Sequence, residues 1–417
     1  MNKKSVFIKT VMFFGVPMLS FGSANAAQFM DGKLSINGAV MQAFQSPIEL
    51  EGPGRVTTAD DEASAGFQRF RYALHINAEI DEMWSVFAEL SEEPNDLSTD
   101  AGFDPFGIHM DLGWIQADFN NGVKARLGTI LSTTQTFLRY SDGPVVQSNP
   151  FIGNTPVDMI TAEEGLWLLG AEEIGSGTDI TWDLGVSSPS FLRDHTESAG
   201  FNLQARGTVN FDNGLSLGTG LFKTNGDVDC SGGVCSRVDG AVVNSLIGLG
   251  DGDNYAFATR GPSQVNHVAI IPGIEAFIWQ LNAQYRKGPM LIHGFYGQAK
   301  DNYAWLDAGG EYRPISASFE KVDAEMAFYG LETKVDVADD LYVAARYTAS
   351  ENETGDISTD NSLYRWQLAG GYHFTDSALL KVEYAKQKEE ALSGGQNVDG
   401  TGSAEWDGVS VEMSLVF

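Results

Sequence analysis

The chain has 417 residues, and its 56 acidic residues outnumber its 26 basic residues to give a formal charge of −30. This balance argues against a nucleic-acid partner, because contacts to phosphate need clustered Lys and Arg. After the first 26 residues no apolar run approaches 18 residues, which excludes a helical membrane protein. The length would allow two or three domains, but closed β-barrels of this length form a single domain.

Residues 1–26 are predicted to be an export signal. Lys3 and Lys4 precede an apolar stretch from Val11 to Phe21, and the small residues Ala-Asn-Ala follow. We therefore expect residues 27–417 to form the mature protein. An uncleaved anchor helix is the alternative, but the stretch is shorter than the ~20 residues that a membrane span needs. Removal of the signal with its three lysines would bring the formal charge to −33. Such an acidic balance is typical of a protein whose long loops face water and divalent cations.

The mature chain alternates apolar and polar residues with a period of two, in pieces of about ten residues. In the last piece one face carries Val409, Val411, Met413, Leu415 and Phe417, and the other carries Ser410, Glu412 and Ser414. The same split recurs at 363–374, 277–286, 201–209, 71–77 and 123–127. Repeated Trp, Tyr and Phe near strand ends are typical of the interfacial girdles of a membrane barrel rather than of a soluble sandwich.

Two kinds of connection separate these pieces. Seven are short turns: Glu79–Glu82, Asn120–Gly122, Ile174–Thr178, Asp212–Gly214, Arg286–Pro289, Val337–Asp340 and Phe374–Ser377. Eight are long and polar, at about 47–65, 92–106, 132–161, 187–199, 225–265, 301–321, 350–361 and 389–404. Together they predict an all-β transmembrane antiparallel barrel of about sixteen strands, with short periplasmic turns and long extracellular loops. The count could differ by one hairpin, because the pieces near 107–119, 160–171 and 288–300 alternate poorly.

These features resemble the Gram-negative outer-membrane porin superfamily, through the Ala-x-Ala signal, the rhythm of turns and loops, and the closing strand VSVEMSLVF that ends at Phe417. The resemblance implies an outer-membrane location, homotrimers, passive diffusion of small hydrophilic solutes and ions, and no cofactor. It also implies outer-membrane lipid, lipopolysaccharide and the barrel assembly machinery as partners. The Pro-Glu-Phe-Gly-Gly run of enterobacterial general porins is absent, so the subfamily stays open between a general porin and a substrate-selective one.

In sixteen-stranded porins the third long loop commonly folds inward and narrows the pore. Its counterpart here is the stretch 132–160, whose apolar content argues against plain disorder. We expect an inward constriction, with an outward loop that caps the mouth as the alternative. The candidate constriction residues are Tyr140, Asp142, Phe151 and Asp158.

Basic residues recur at positions that the alternation assigns to the lumen: Arg69, Arg71, Lys124, Arg126, Arg206, Arg286, Arg346 and Arg365. Fixed cations in a narrow aqueous space raise the local concentration of anions. The alternative is that any water-filled lumen must be polar, so that inward basic residues are simply solvated or paired with acidic residues. The net charge favours cations instead, so the sequence does not decide the ion selectivity. A narrow channel that selects an anion or organic acid is the alternative to a general porin.

Cys230 and Cys235 lie in the polar stretch CSGGVC of a chain expected in an oxidising periplasm, which favours a local disulfide over a metal pair. A metal pair would need further ligands, and the closest histidine is His267. Asp251 and Asp253 could supply oxygen ligands to calcium, but a solvated acidic loop is favoured. We therefore predict no metal site.

Two further functions remain as less favoured alternatives. A barrel-borne hydrolase would need a Ser beside a His base, but none of the six histidines lies in such a context and Gly-x-Ser-x-Gly is missing. No catalytic residue is therefore predicted. A receptor with a plugged lumen would need a globular domain before the barrel, but strand pairing is expected to start by Lys33. A surface adhesin is the other binding function that remains as an alternative.

Overall fold

The computed structural model describes most of the chain outside its long loops. The described residues are 27–51, 65–67, 70–92, 109–119, 122–131, 143–152, 155, 162–175, 177–188, 201–225, 228–229, 236–237, 241–243, 271–273, 276–301, 324–355, 362–390 and 404–417. The predicted signal lies outside these residues. Within them, no helix is long and apolar enough to cross a membrane.

Sixteen long strands dominate the fold and are numbered here β1 to β16. In chain order they are Leu34–Glu51, Arg71–Glu79, Trp84–Glu92, His109–Asp118, Val123–Leu131, Ala162–Gly175, Thr178–Ser188, Phe201–Phe211, Leu215–Asn225, Ala276–Lys287, Met290–Asp301, Ala324–Ala338, Leu341–Gly355, Ser362–Thr375, Ala378–Glu390 and Ala404–Val416. Each strand pairs antiparallel with the next one along the chain.

The sheet closes on itself because β1 also pairs with β16. At one end of this seam the Gly38 N–H donates to the Phe417 carbonyl at 2.9 Å, and the Phe417 N–H donates to the Gly38 carbonyl at 3.0 Å. Two short strands, Ala27–Phe29 and Gly66–Phe67, also pair with β1. A closed sheet leaves no edge of unpaired backbone groups, and hydrocarbon tolerates no such edge.

The predicted sixteen-stranded antiparallel barrel is confirmed, including the three pieces whose alternation is poor. Those pieces are β4, β6 and β11. Their patterns are blurred because the inward face of each carries an apolar side chain: Leu112 in β4, Trp167 in β6 and Leu291 in β11 are all buried. An inward apolar residue breaks the apolar-out, polar-in rule without breaking the strand.

The predicted two faces are also confirmed. In β14, Arg365 and Gln367 are buried on the inner side, whereas Trp366 and Leu368 are more than half exposed on the outer side, at 54% and 58%. This is the reverse of a soluble protein, in which large apolar side chains are buried. The outer face is therefore suited to lipid.

Exposed aromatic side chains form two bands on the outer face. On the loop side they are Phe67, Phe70, Phe201, Phe277 and Trp366, and on the turn side Phe29, Trp84, Phe119, Phe374 and Phe417. Trp366 and Phe374 are eight positions apart in β14, which is about 26 Å along a strand and about 20 Å along the axis at a tilt of ~40°. That spacing is close to the apolar band of a transmembrane barrel.

All seven predicted short turns join the strands at one end of the barrel. The turn after β2 is held by Asp81, whose Oδ1 accepts the N–H groups of Met83 and Trp84, both at 2.8 Å. In the turn after β8, Gly214 has φ of +88°, a conformation that favours glycine. The strand ends that flank the eight long connections lie at the opposite end of the barrel.

We expect Gly38→Val to weaken closure of the barrel. A Cβ at Gly38 would lie 2.7 Å from the Ala73 carbonyl and 2.8 Å from the Phe417 ring, so the seam must shift. Overpacking of this kind costs about 1–3 kcal/mol, measured as a lower urea midpoint of the protein refolded in detergent. Gly207→Val is the matched control, since open space surrounds a Cβ at that position. Equal midpoints for the two variants would contradict the account.

A second prediction concerns acid. The two backbone N–H donors hold the pKa of Asp81 below its ordinary value. A carboxylate with a lowered pKa stabilises the fold above its unfolded pKa of about 3.9, and that contribution is lost as the pH falls through the folded pKa. Wild type should therefore exceed Asp81→Ala in urea midpoint at pH 7, with a smaller difference at pH 3. Glu82→Ala controls for removal of a charge from the same turn, and a difference that does not change with pH would reject the prediction.

Candidate functional site

Residues 143–152 of the third long loop, here called the inner segment, lie against the inner wall of the barrel. They comprise a short 3-10 helix of six residues, Gly143–Ser148, followed by four residues without regular structure. Val146 and Phe151 are fully buried and Ile152 is 2% exposed. Such burial of apolar side chains inside a polar barrel needs apolar partners on the wall.

Two apolar clusters supply these partners. Val146 packs with Ala39, Met41 and Val416 where β1 and β16 meet. On the neighbouring strands, Phe151 packs with four wall residues, which are Tyr342, Ala344, Ala369 and Leu379. The wall therefore departs from its polar pattern where the inner segment rests on it.

Hydrogen bonds to the wall fix the backbone of the same segment. Lys381 in β15 donates through Nζ to the carbonyls of Val146 at 2.8 Å and Phe151 at 3.1 Å. Two residues further along β15, Glu383 accepts the N–H of Ile152 through Oε2 at 2.7 Å. The Tyr342 hydroxyl donates to the Pro150 carbonyl at 3.1 Å, and Gln147 Nε2 donates to the Ser377 carbonyl at 2.9 Å. These bonds pair backbone groups that the segment cannot satisfy by itself.

Beneath the inner segment lies a buried charged network. Lys381 forms an ion pair with Glu412 at 3.0 Å, and both side chains are almost completely buried. Gln367 accepts from Arg346 Nε at 2.7 Å and donates to Glu383 at 2.9 Å. The Arg346 guanidinium also lies 4.3 Å from the centre of the Phe151 ring. Each charge therefore has partners, as burial requires.

The facing wall is built differently. In a ring of sixteen strands β5 stands eight strands from β13, and its inward residues include Lys124 and Arg126. Lys124 pairs with Asp118 at 3.3 Å. Arg126 donates through Nε to Gln116 at 2.8 Å, and its guanidinium lies 4.8 Å from the centre of the Trp114 ring. This wall therefore presents a basic and aromatic surface.

The predicted pore-lining residues occupy three environments. Arg71, Arg346 and Arg365 face inward but are buried, at 0–3% exposure, and Arg206 is buried in an ion pair with Asp183 at 2.8 Å. Lys124 and Arg126 are partly exposed, and Arg286 is exposed beside the short turn after β10. The last, Arg69, lies outside the described residues.

Of the predicted constriction residues, the structure describes Phe151, which is buried in the contacts given above. Tyr140, Asp142 and Asp158 lie outside the described residues, as do Cys230 and Cys235. Their chain neighbours Asp229 and Ser236 pair in antiparallel register. The predicted disulfide stays a prediction.

Sequence reasoning missed four residues that hold the inner segment: Lys381, Glu383, Glu412 and Tyr342. A signal was present for the pair in β15, since Lys381 and Glu383 alternate with Leu380, Val382 and Tyr384. The alternation places both on the inner face but cannot show that a loop from another part of the chain reaches them.

Solved structures of outer-membrane porins and channels share this fold. An OmpF of Salmonella typhi in complex with daunomycin is 11% identical, with a TM-score of 0.57 over 92% of this chain and 97% of that chain. The anion-selective porin from Comamonas acidovorans is 14% identical, with a TM-score of 0.55 over 92% and 99%. The trimer form of OmpT, an outer membrane protein of Vibrio cholerae, is 12% identical, with a TM-score of 0.53 over 92% and 99%.

No protein-family model matches the sequence, and no curated protein is significantly similar to it. At 11–14% identity the structural likeness establishes the fold. The chain therefore has the closed sixteen-stranded antiparallel barrel of porins.

We expect the double variant Lys381→Met, Glu412→Gln to release the inner segment. Changing Lys381 alone would leave Glu412 as a buried charge without its ion-pair partner, which would destabilise the fold by about 3–5 kcal/mol. Both residues are therefore changed together. Amide exchange in peptides that cover 143–152 should accelerate at least tenfold, measured by hydrogen–deuterium exchange. Lys386→Met is the matched control on the outer face of β15, where Lys386 pairs with Glu405. Equal exchange in both variants would contradict the assigned anchor.

Proposed function

We propose that the chain is a porin of the Gram-negative outer membrane, through which small hydrophilic solutes and ions diffuse passively. The observation that carries the proposal is an inner segment anchored by Lys381, Glu383 and Tyr342 to the inner wall of a sixteen-stranded barrel. A barrel of this size encloses more space than wall side chains fill. A loop that narrows such a space without plugging it gives a size filter.

In this proposal the stretch 132–160 is the constriction loop. Solutes enter past the long loops, pass between the inner segment and the facing wall, and leave at the short turns. Transport needs no cofactor, no energy source and no catalytic residue, because the concentration gradient drives it. The rate of passage then depends on how firmly the inner segment is held and on the charges that face the gap.

A channel selective for an anion or organic acid is the second candidate. Among the described residues, the wall from β12 through β16 to β2 buries four cations, Arg71, Arg346, Arg365 and Lys381, and three anions, Glu332, Glu383 and Glu412. Arg126 adds a partly exposed cation on the facing wall. An excess of fixed positive charge near a narrow passage raises the local concentration of anions.

We further propose a homotrimer in contact with outer-membrane lipid and lipopolysaccharide, inserted by the barrel assembly machinery. The exposed apolar outer face between two aromatic bands supports the membrane location. Support for the trimer comes from the OmpT relative by fold, whose structure is described as a trimer form. Mass measurement of the protein in detergent, before and after heating, tests the trimer.

We expect purified protein in a planar bilayer to give stepwise current increments under voltage, because each inserted barrel adds a water-filled path. Heated and unfolded protein is the control. Absence of steps from correctly folded protein would reject the porin proposal.

The variant Lys381→Met, Glu412→Gln should also raise the mean conductance or the noise of the open channel, since a released inner segment no longer holds one position. Lys386→Met, on the outer face of the same strand, should leave both unchanged. A double variant with the conductance and noise of wild type would reject the inner segment as the constriction.

A further inference from the structure

We propose that the wall of β3 to β5 carries a binding site for small aromatic carboxylates, with Arg126 as the anion-binding group and Trp114 as the apolar surface. The site names a class of solute for the proposed channel. Its role in solute selection rests on that proposed function. It is argued from three observations: an arginine held in position, a guanidinium with no carboxylate of the described residues within 4.0 Å, and a partly exposed aromatic ring beside it.

Arg126 is held in position from two sides. Its Nε donates to Gln116 Oε1 at 2.8 Å, and its guanidinium lies 4.8 Å from the centre of the Trp114 ring. Gln116 is the register partner of Arg126 on β4, so the contact is built into the sheet. Because Nε is engaged and the plane of the guanidinium is supported, the two terminal nitrogens form a preorganised fork.

The positive charge of Arg126 is only partly balanced, because Asp183, which attracts it, is also the ion-pair partner of Arg206. Within the part of the chain that the structure describes, Arg126 makes that single hydrogen bond and has no carboxylate within 4.0 Å. The neighbouring acids are already paired, Asp118 with Lys124 at 3.3 Å and Asp183 with Arg206 at 2.8 Å. Arg126 and Arg206 therefore share one nearby carboxylate, which leaves one fixed positive charge to offer a solute.

An aromatic column adjoins this charge. The Phe87 and Trp114 rings stack at 4.0 Å with 22° between their planes, and His75 meets Phe87 edge-on at 5.0 Å. His75 in turn pairs with Glu89. Phe87 is only 6% exposed and supports Trp114 from behind, so the partly exposed Trp114 ring is the surface that an apolar solute would cover.

The ligand chemistry follows from this combination. A carboxylate fits the terminal nitrogens of an arginine fork in a two-point contact, and a flat apolar ring attached to it would cover the exposed part of the Trp114 ring. Benzoate has both groups, whereas acetate has the carboxylate alone. The site should therefore prefer benzoate to acetate at equal charge.

The test is a ligand-observed NMR titration of the detergent-purified full chain with benzoate and, separately, acetate. Wild type should bind benzoate at least fivefold more tightly than acetate. Arg126→Gln should weaken benzoate binding at least tenfold, and Arg126→Lys, which keeps the charge but lacks the fork, should weaken it at least threefold. Lys124→Gln is the matched control, since it removes an equal charge two positions away on the same strand, and it should change the affinity less than twofold.

Trp114→Leu separates the two parts of the site. It should abolish the preference for benzoate over acetate, because it weakens benzoate binding more than acetate binding. The inference is overturned if wild type shows no preference for benzoate, or if Arg126→Gln and Lys124→Gln weaken binding equally. Because the titration needs no flux, it decides the inference even if bilayers show no current, a result that would reject only the porin proposal.

Discussion

The backbone pairing between β1 and β16 is the constraint on which the rest of the structure depends. Hydrocarbon offers no hydrogen bonds, so a sheet that spans a membrane must pair every strand on both sides. Here the first strand meets the last, and Gly38 and Phe417 complete that seam through two backbone hydrogen bonds. Once the ring is closed, each strand has one face toward lipid and one toward the interior.

A closed ring also decides how the interior must be built. Inward Arg, Lys, Glu and Gln side chains lie side by side, and those that the inner segment covers lose water. A buried charge without a partner would cost several kcal/mol, and the network around Lys381, Glu412 and Glu383 shows how that cost is avoided. The same groups bind the backbone of the inner segment, so charge neutralisation and loop anchoring are one arrangement.

Glycines keep large inward rings close to the wall. A side chain at Gly185 would overlap Trp167, one at Gly297 would overlap Phe328, and one at Gly371 would overlap the Tyr342 ring. Each ring therefore lies over a position that carries no side chain on the adjacent strand. Rings that lie flat against the wall fill less of the cross-section of the barrel than rings that project inward. An interior rich in aromatic residues is therefore compatible with a passage.

The sequence alone determined the barrel, because a period of two and the rhythm of short turns and long connections depend only on local chemistry. The two faces of β14 and β16 and all seven short turns could be read in this way, as could the inward direction of Arg71, Arg346 and Arg365. Strands with inward apolar residues, such as β6 with Trp167, are harder to identify from the sequence. An inward apolar side chain breaks the apolar-out, polar-in alternation that marks a membrane strand.

Only the tertiary structure decided which inward charges are covered and which remain partly exposed. Lys381 reaches Val146 across 235 positions of the chain, a pairing that no local pattern encodes. The same alternation places Arg365 and Arg126 on the inner face, yet Arg365 is fully buried and donates to Gln387, whereas Arg126 is partly exposed. The physical reason is that alternation fixes the direction of a side chain, whereas its surroundings depend on closure of the ring and on where a distant loop comes to rest.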